Sequence, residues 1–114
     1  MNISIVGAGR VGLVTAVCLA SKGHNVLCID RDENIVNAIS QGRATFYEPD
    51  LDRLLLACAR ENRNLRASID YNESLESAIT FICVNTPCNS ERDIDLSHIL
   101  EATRGLGKVL NGRK

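Results

Sequence analysis

The chain has 114 residues, of which 45% are hydrophobic and 24% charged, and its formal net charge is −1. This length suits one small globular domain, and the weak net charge gives no sign of binding to nucleic acid or to an anionic membrane. No apolar run approaches the ~20 residues of a membrane span, and the N-terminus shows no signal-peptide pattern. We therefore expect a cytoplasmic domain without nucleic-acid or membrane partners.

The first thirty residues have the pattern of a strand, a glycine-rich turn, a helix and a second strand. A β-branched run over residues 3–6 leads directly into a G-x-G-x-x-G motif at residues 7–12. A helix is predicted from Arg10 to Lys22. The second apolar run then ends at Asp30. A glycine motif in this context is a strong signature of dinucleotide binding.

Each part of this pattern has a physical role in such a site. Gly7 supplies the tight turn, Gly9 lets a pyrophosphate approach the backbone, and Gly12 lets the helix pack closely on the sheet. The unpaired N–H groups at the helix start attract phosphate. Asp30 is expected to bind the ribose hydroxyls, which favours NAD over NADP. Arg31 weakens this preference, because a neighbouring arginine can accommodate a 2′-phosphate.

Apolar spacing predicts two more helices before the third strand. The first is capped by Asp32 and ends at Gly42, and the second has Pro49 in its first turn. The expected packing faces are Val11, Val14, Thr15 and Cys18 in the first helix, Ile35, Val36 and Ile39 in the second, and Leu51, Leu54, Leu55 and Cys58 in the third.

The last part of the chain continues the alternation of strands and helices. Residues 65–69 are a predicted strand, and Asp70 with Glu73 matches a capping box that opens a short helix through Ala78. Residues 80–84 are the most apolar strand, which is typical of a central strand covered on both faces.

The final predicted helix begins after a cap at Asp95. Its expected packing face is Leu96, Ile99, Leu100, Thr103, Leu106 and Leu110. Gly105 and Gly107 are expected to weaken this helix by about 1 kcal/mol each relative to alanine.

Four strands that alternate with helices predict an α/β fold with a doubly wound parallel sheet in the order 3-2-1-4. A complete dinucleotide-binding sheet has six strands. We therefore expect residues 1–114 to be one truncated dinucleotide-binding domain without a substrate domain. The fourth strand would then form an apolar sheet edge through which two copies pair as a homodimer.

The five cysteines and two histidines give no pattern of a metal or disulfide site. The cysteines are Cys18, Cys28, Cys58, Cys83 and Cys88. None shows C-x-x-C spacing, which favours free thiols in a reducing compartment. Neither His24 nor His98 has a second ligand near it in sequence, so no metal site is expected. Cys88 has no neighbouring histidine, and a loop cysteine is a better interpretation than a nucleophile.

Several further motifs indicate which protein family the chain resembles. They are Gly7 to Gly12 with Val11, Gly23-His24-x-Val26, Asp30, Gly42, Glu48-Pro49-x-Leu51, Val84-x-Thr86-Pro87 and Asp95-Leu96-Ser97. Together they resemble the N-terminal, Rossmann-like domain of the UDP-glucose/GDP-mannose 6-dehydrogenase family, over nearly the whole chain. The Glu-Pro-x-Leu and Val-x-Thr-Pro elements are more specific than the glycine loop.

The resemblance implies oxidation of the C6 hydroxymethyl of a nucleotide sugar to a carboxylate by two NAD molecules, with a cysteine thiol as nucleophile. It also implies that Val11 and Asp30 contact the adenosine half of NAD and that Thr86 lies on the nicotinamide side. Arg10, within the predicted cofactor loop, replaces the usual tyrosine of the family, and Ile35 replaces a lysine. The Gly-Gly-x-Cys-Phe nucleophile motif is absent, so we expect no catalytic residue here and no catalysis by this chain alone.

Two other functions are alternatives to the dehydrogenase. A nucleotide-sensing regulatory domain of a potassium transporter or channel has similar motifs, and Arg10 suits that class better. The other is a Rossmann-like scaffold with an empty crevice, against which the intact glycines of the loop argue. The Glu-Pro-x-Leu and Val-x-Thr-Pro elements favour the dehydrogenase.

Overall fold

The computed structural model describes residues 1–87 and 94–111. The elements in chain order are β1 (Asn2–Val6), α1 (Arg10–Ser21), β2 (Asn25–Ile29), α2 (Glu33–Ser40), α3 (Leu51–Leu56) with a π-helical continuation (Ala57–Glu61), β3 (Leu65–Ser68), a 3-10 helix (Tyr71–Glu76), β4 (Ile79–Ile82) and α4 (Ser97–Asn111). Cys88, with the loop around it, lies outside the described residues.

The four strands form one parallel sheet in the order β3-β2-β1-β4, as the sequence predicts. In the central strand β1, Ile5 is paired with Cys28 of β2 on one side and with Phe81 of β4 on the other. The predicted α/β fold class is confirmed. Within the part of the chain that the structure describes, no helix has the length and apolar character needed to cross a membrane.

Strands β1 and β2 are buried on both faces of the sheet. Ile3 and Ile5 belong to a core cluster with residues of α1, α2 and α3. Val6 and Leu27 belong to a second cluster that includes Ala102 of α4. Successive side chains of a strand point to opposite faces, so these two clusters lie on the two sides of the sheet.

The predicted packing face of α1 is wrong at Val11 and Cys18. Val11 is 69% exposed and Cys18 is also exposed, whereas Val14 packs against the core as predicted. The buried residues are Gly12, Leu13, Ala16, Val17 and Ala20. The helix lies with Gly12 against the turn that precedes it, and the face with these residues, rather than the Val11 side, is turned toward the sheet.

The last strand and helix are also covered less than the sequence predicts. The side chains of β4 are all exposed, and the described strands pair with β4 only along its β1 side. Leu96, just before α4, and Leu100 and Leu110 within it are exposed, whereas Ala102 and Val109 are buried. The small residues Ala102 and Gly105 allow close approach, so this side of α4 faces the rest of the domain.

All three carboxylates that were predicted to cap helices accept a backbone hydrogen bond. Asp32 accepts from the Asn34 N–H, Asp70 from the Asn72 N–H and Asp95 from the Ser97 N–H, each at 2.9 Å.

The predicted capping box of Asp70 and Glu73 is wrong. The Glu73 carboxylate binds the Ser68 hydroxyl and the Arg66 guanidinium rather than the Asp70 N–H. The helix that follows is a 3-10 turn, and it stops before Ala78, whose N–H donates to the Asn2 carbonyl at 2.8 Å.

Candidate dinucleotide-binding site

A cleft of about 240 Å³ opens at the carboxyl ends of β1, β2 and β4. Its floor includes Gly7 and Gly9 from the turn after β1, and one wall is formed by α4. This is the point where the sheet order reverses between β1 and β4, which is where open α/β sheets bind their ligands.

The turn after β1 is fixed by close backbone contacts. Gly7 has φ of +98°, and its N–H donates to the Ile29 carbonyl at 2.7 Å. A Cβ on Gly7 would lie 2.7 Å from the Cys83 carbonyl oxygen, and a Cβ on Gly12 would lie 1.8 Å from the Gly7 carbonyl oxygen. These two glycines are therefore required by packing as well as by backbone conformation.

Gly9 has open space instead of close neighbours. A Cβ placed on it would meet only the Asn85 Oδ1, at 3.9 Å. Gly9 is the N-cap of α1, no side chain caps this end, and the first turn contains no acidic residue. The first amides of a helix have no intrahelical partner and carry partial positive charge, so the space above Gly9 fits a pyrophosphate.

Asp30 connects the glycine turn to the start of α2. Its Oδ2 accepts the Ala8 N–H and its Oδ1 accepts the Asp32 N–H, both at 2.9 Å. Each carboxylate oxygen has a second lone pair, so the group can still accept hydrogen bonds from a ribose in the cleft. The structure thus adds a positioning role to the ligand-binding role that the sequence predicts.

Arg31 reaches across the cleft from the end of β2 to α4. Its guanidinium donates to Glu101 Oε2 at 2.6 Å and lies 3.0 Å from His98 Nε2. All three residues line the cleft. The predicted cofactor residue Arg31 is therefore present at the site, but its guanidinium already has partners.

Arg10 is held beside the cleft rather than in it. Its guanidinium forms an ion pair with Glu48, donates to the Tyr47 carbonyl at 3.2 Å and lies 4.7 Å from the centre of the Phe46 ring. The neighbouring Val11 points into solvent.

Thr86 is exposed and does not line the cleft, whereas the preceding Asn85 does. The structure therefore brings Gly7, Gly9, Asp30 and Arg31 together around the cleft. It places Gly12 beneath the turn, and Arg10, Val11 and Thr86 outside the cleft.

Sequence reasoning missed the wall formed by Tyr71, His98 and Glu101. The Tyr71 ring packs so closely on α4 that a Cβ on Gly105 would lie 2.8 Å from it. Burial, and then the carboxylates of Glu101 and Asp30, raise the pKa of the Tyr71 hydroxyl. A glycine within an otherwise regular helix was the one signal for this contact.

The chain matches the NAD-binding domain of the UDP-glucose/GDP-mannose dehydrogenase family over residues 1–114. It is 39% identical to a UDP-glucose 6-dehydrogenase of Haloferax volcanii over 110 residues, 96% of this chain and 25% of the relative. It is 38% identical to a GDP-mannose 6-dehydrogenase of Pseudomonas aeruginosa, over 94% of this chain and 24% of the relative.

Solved structures give the same result. A ternary complex of GDP-mannose dehydrogenase from Pseudomonas aeruginosa has a TM-score of 0.94 and 36% identity, over 99% of this chain and 26% of that one. A UDP-glucose dehydrogenase from Pyrobaculum islandicum has a TM-score of 0.90 and 32% identity, over 98% of this chain and 26% of that one. The chain thus spans about a quarter of the length of these relatives.

Proposed function

The chain belongs to the UDP-glucose/GDP-mannose dehydrogenase family, of which it carries the NAD-binding domain, and from this premise we propose that it is the cofactor-binding portion of a nucleotide-sugar 6-dehydrogenase. The whole enzyme would oxidise the C6 hydroxymethyl of UDP-glucose or a similar nucleotide sugar to a carboxylate, with two molecules of NAD. The observation that carries the proposal is the open space above Gly9, at an uncapped helix start next to Asp30.

In this proposal the residues around the cleft divide the dinucleotide between them. The amides at the start of α1 bind the pyrophosphate, and Gly7 and Gly12 keep that helix start in place. Asp30 accepts hydrogen bonds from the adenosine ribose, each worth about 1.5–3 kcal/mol for a charged acceptor. NAD, when bound, supplies the hydride acceptor.

The residues at the margin have smaller proposed roles. Val11 would cover the adenosine half of the cofactor, and Thr86 would approach its nicotinamide side. Arg10 and Arg31 would border the site through the contacts that their guanidinium groups make with Glu48 and Glu101.

We also propose that these 114 residues do not catalyse the reaction alone. Burial, and then the Asp30 carboxylate, raise the pKa of the Cys28 thiol to about 12. Burial likewise raises the pKa of the Cys83 thiol, which lines the cleft. A thiol nucleophile must be deprotonated, so neither group is suited to attack a substrate at neutral pH.

A titration with NADH tests the proposed function. Gly9→Ala adds a methyl group where a pyrophosphate would approach, and among the described residues the nearest atom to that group is Asn85 Oδ1, at 3.9 Å, so we expect the variant to fold. We expect its Kd for NADH to rise about tenfold, equivalent to about 1.4 kcal/mol, while its melting temperature stays near that of the wild type. Fluorescence of bound NADH and thermal denaturation measure the two effects.

Gly107→Ala is the matched control, because a Cβ at Gly107 meets no atom of the described residues within 4 Å and Gly107 lies in α4, outside the cleft. It should leave NADH binding unchanged. If the wild-type chain fails to bind NADH, or if Gly9→Ala binds it as well as the wild type, the proposed function is wrong.

A further inference from the structure

The Arg31 guanidinium is held against α4, next to the carboxylate that is predicted to bind the ribose. Asp30 and Arg31 are adjacent at the end of β2, and an arginine beside the ribose-binding carboxylate is the group that accommodates a 2′-phosphate. Here the same guanidinium donates to Glu101 Oε2 at 2.6 Å and lies 3.0 Å from His98 Nε2.

The charges around the cleft reinforce this arrangement. Among the described residues that line it, Arg31 is the single arginine or lysine, and three carboxylates, Asp30, Asp32 and Glu101, line the same cleft. A 2′-phosphate that binds Arg31 would have to share the guanidinium with Glu101 or displace that carboxylate. In either case the Glu101 carboxylate would remain near the added phosphate charge, which like-charge repulsion disfavours.

Stability alone does not explain the ion pair. The Arg31 and Glu101 side chains are 57% and 49% exposed, and exposed pairs of this kind contribute little to folding. Their alignment across the cleft has a clearer consequence for ligand choice, because it decides whether the guanidinium is available to a phosphate.

We propose that Glu101, assisted by His98, selects a 2′-hydroxyl over a 2′-phosphate by holding the Arg31 guanidinium against α4. Glu101 is thus a positioning residue for cofactor specificity. This inference rests on the proposed function, since it assumes that the cleft binds the adenosine half of the dinucleotide.

Parallel titrations with NADH and NADPH test the inference. Glu101→Ala removes the carboxylate that holds Arg31 and puts a good helix former on an exposed face of α4. We expect this variant to bind NADPH about tenfold more tightly than the wild type does, the scale of one charge-assisted hydrogen bond. Its affinity for NADH should change by less than about twofold, because the Asp30 contact to the 2′-hydroxyl is retained.

Two further variants test whether the change in NADPH affinity depends on the position of Glu101 and on the Arg31 guanidinium. Glu61→Ala removes an exposed carboxylate outside the cleft and should leave both affinities unchanged. The double variant Arg31→Gln with Glu101→Ala should lose the gain in NADPH affinity, because no guanidinium is then available.

Three results would contradict the inference: equal gains for NADH and NADPH in Glu101→Ala, no gain for either, or a gain that persists in the double variant. Failure of the wild-type chain to bind NADH contradicts the proposed function instead. The NADPH/NADH affinity ratio is the deciding readout, because a loss of folding would lower both affinities together.

Discussion

Gly12 is the residue on which the position of α1 depends, because the helix touches the preceding turn at this point. A Cβ on Gly12 would lie 1.8 Å from the Gly7 carbonyl oxygen, which is backbone and cannot rotate away. Gly12 therefore sets both the distance of α1 from the sheet and the direction of the amides at its start.

We expect Gly12→Ala to destabilise the protein by about 3 kcal/mol, the upper range for overpacking. Urea denaturation followed by circular dichroism measures the change. Gly107→Ala, with no atom near its new methyl group, should instead be neutral or stabilise by up to about 1 kcal/mol. Equal stability of Gly12→Ala and the wild type would show that α1 can move away from the turn without cost.

The positions of some site residues could be predicted from local sequence patterns, and the roles of these residues in binding stay predictions. Gly7, Gly9 and Asp30 could be placed at the cleft because the sequence pattern indicates a strand, a sharp turn and the start of a helix. The partners of Arg31 could not be predicted in this way. Glu101 and His98 are about 70 positions further along the chain, and an exposed helix face gives no sign of which strand end it will meet.

At the scale of elements, β3 and the 3-10 helix are joined by one carboxylate. Glu73 accepts from the Ser68 hydroxyl and from the Arg66 guanidinium, and the Ser68 Oγ in turn accepts the Asp70 N–H at 3.0 Å. The hydrogen bond from Ser68, and then the one from Arg66, lower the pKa of the Glu73 carboxyl below its ordinary value of 4.5.

This shift predicts a pH-dependent effect of Glu73→Gln. Because the pKa is lower in the folded than in the unfolded chain, the carboxylate contributes its full stabilisation above pH 4.5 and loses it as the pH falls through the lower, folded value. The variant should therefore melt below the wild type at pH 7, and the difference should shrink steadily from pH 4.5 downward. A difference that stays constant from pH 7 to pH 3 would rule out the carboxylate as its cause.

Element order and strand direction followed from the alternation of apolar runs with helix signals, but the rotation of the helices did not. In α1 the predicted face included Val11, but the buried face carries Leu13 and Val17 together with Gly12. In α4 the small residues Ala102 and Gly105 lie on the packed face, whereas Leu100 and Leu110 are exposed. Two backbones can approach closely only where small residues lie between them. The spacing of large apolar residues does not indicate where such contacts occur.

At the scale of the whole molecule, the unusual surface is the outer edge of β4. Ile79, Phe81 and Ile82 are 42%, 41% and 43% exposed, and the described strands pair with β4 only through β1. A strand of this composition is typical of a covered position in a parallel sheet. Its unpaired N–H and C=O groups form a template to which another strand can add.

We propose that isolated 114-residue chains associate as homodimers through this edge. Phe81→Lys puts a charge on the exposed strand, one of the means by which natural sheets block edge pairing. Sedimentation velocity should show concentration-dependent dimers of the wild type and a monomer of the variant. Val11→Lys is the control, because Val11 is exposed on α1, away from the β4 edge, and should not affect association. A wild type that stays monomeric at the highest concentration, or dimers that persist in Phe81→Lys, would exclude this edge as the interface.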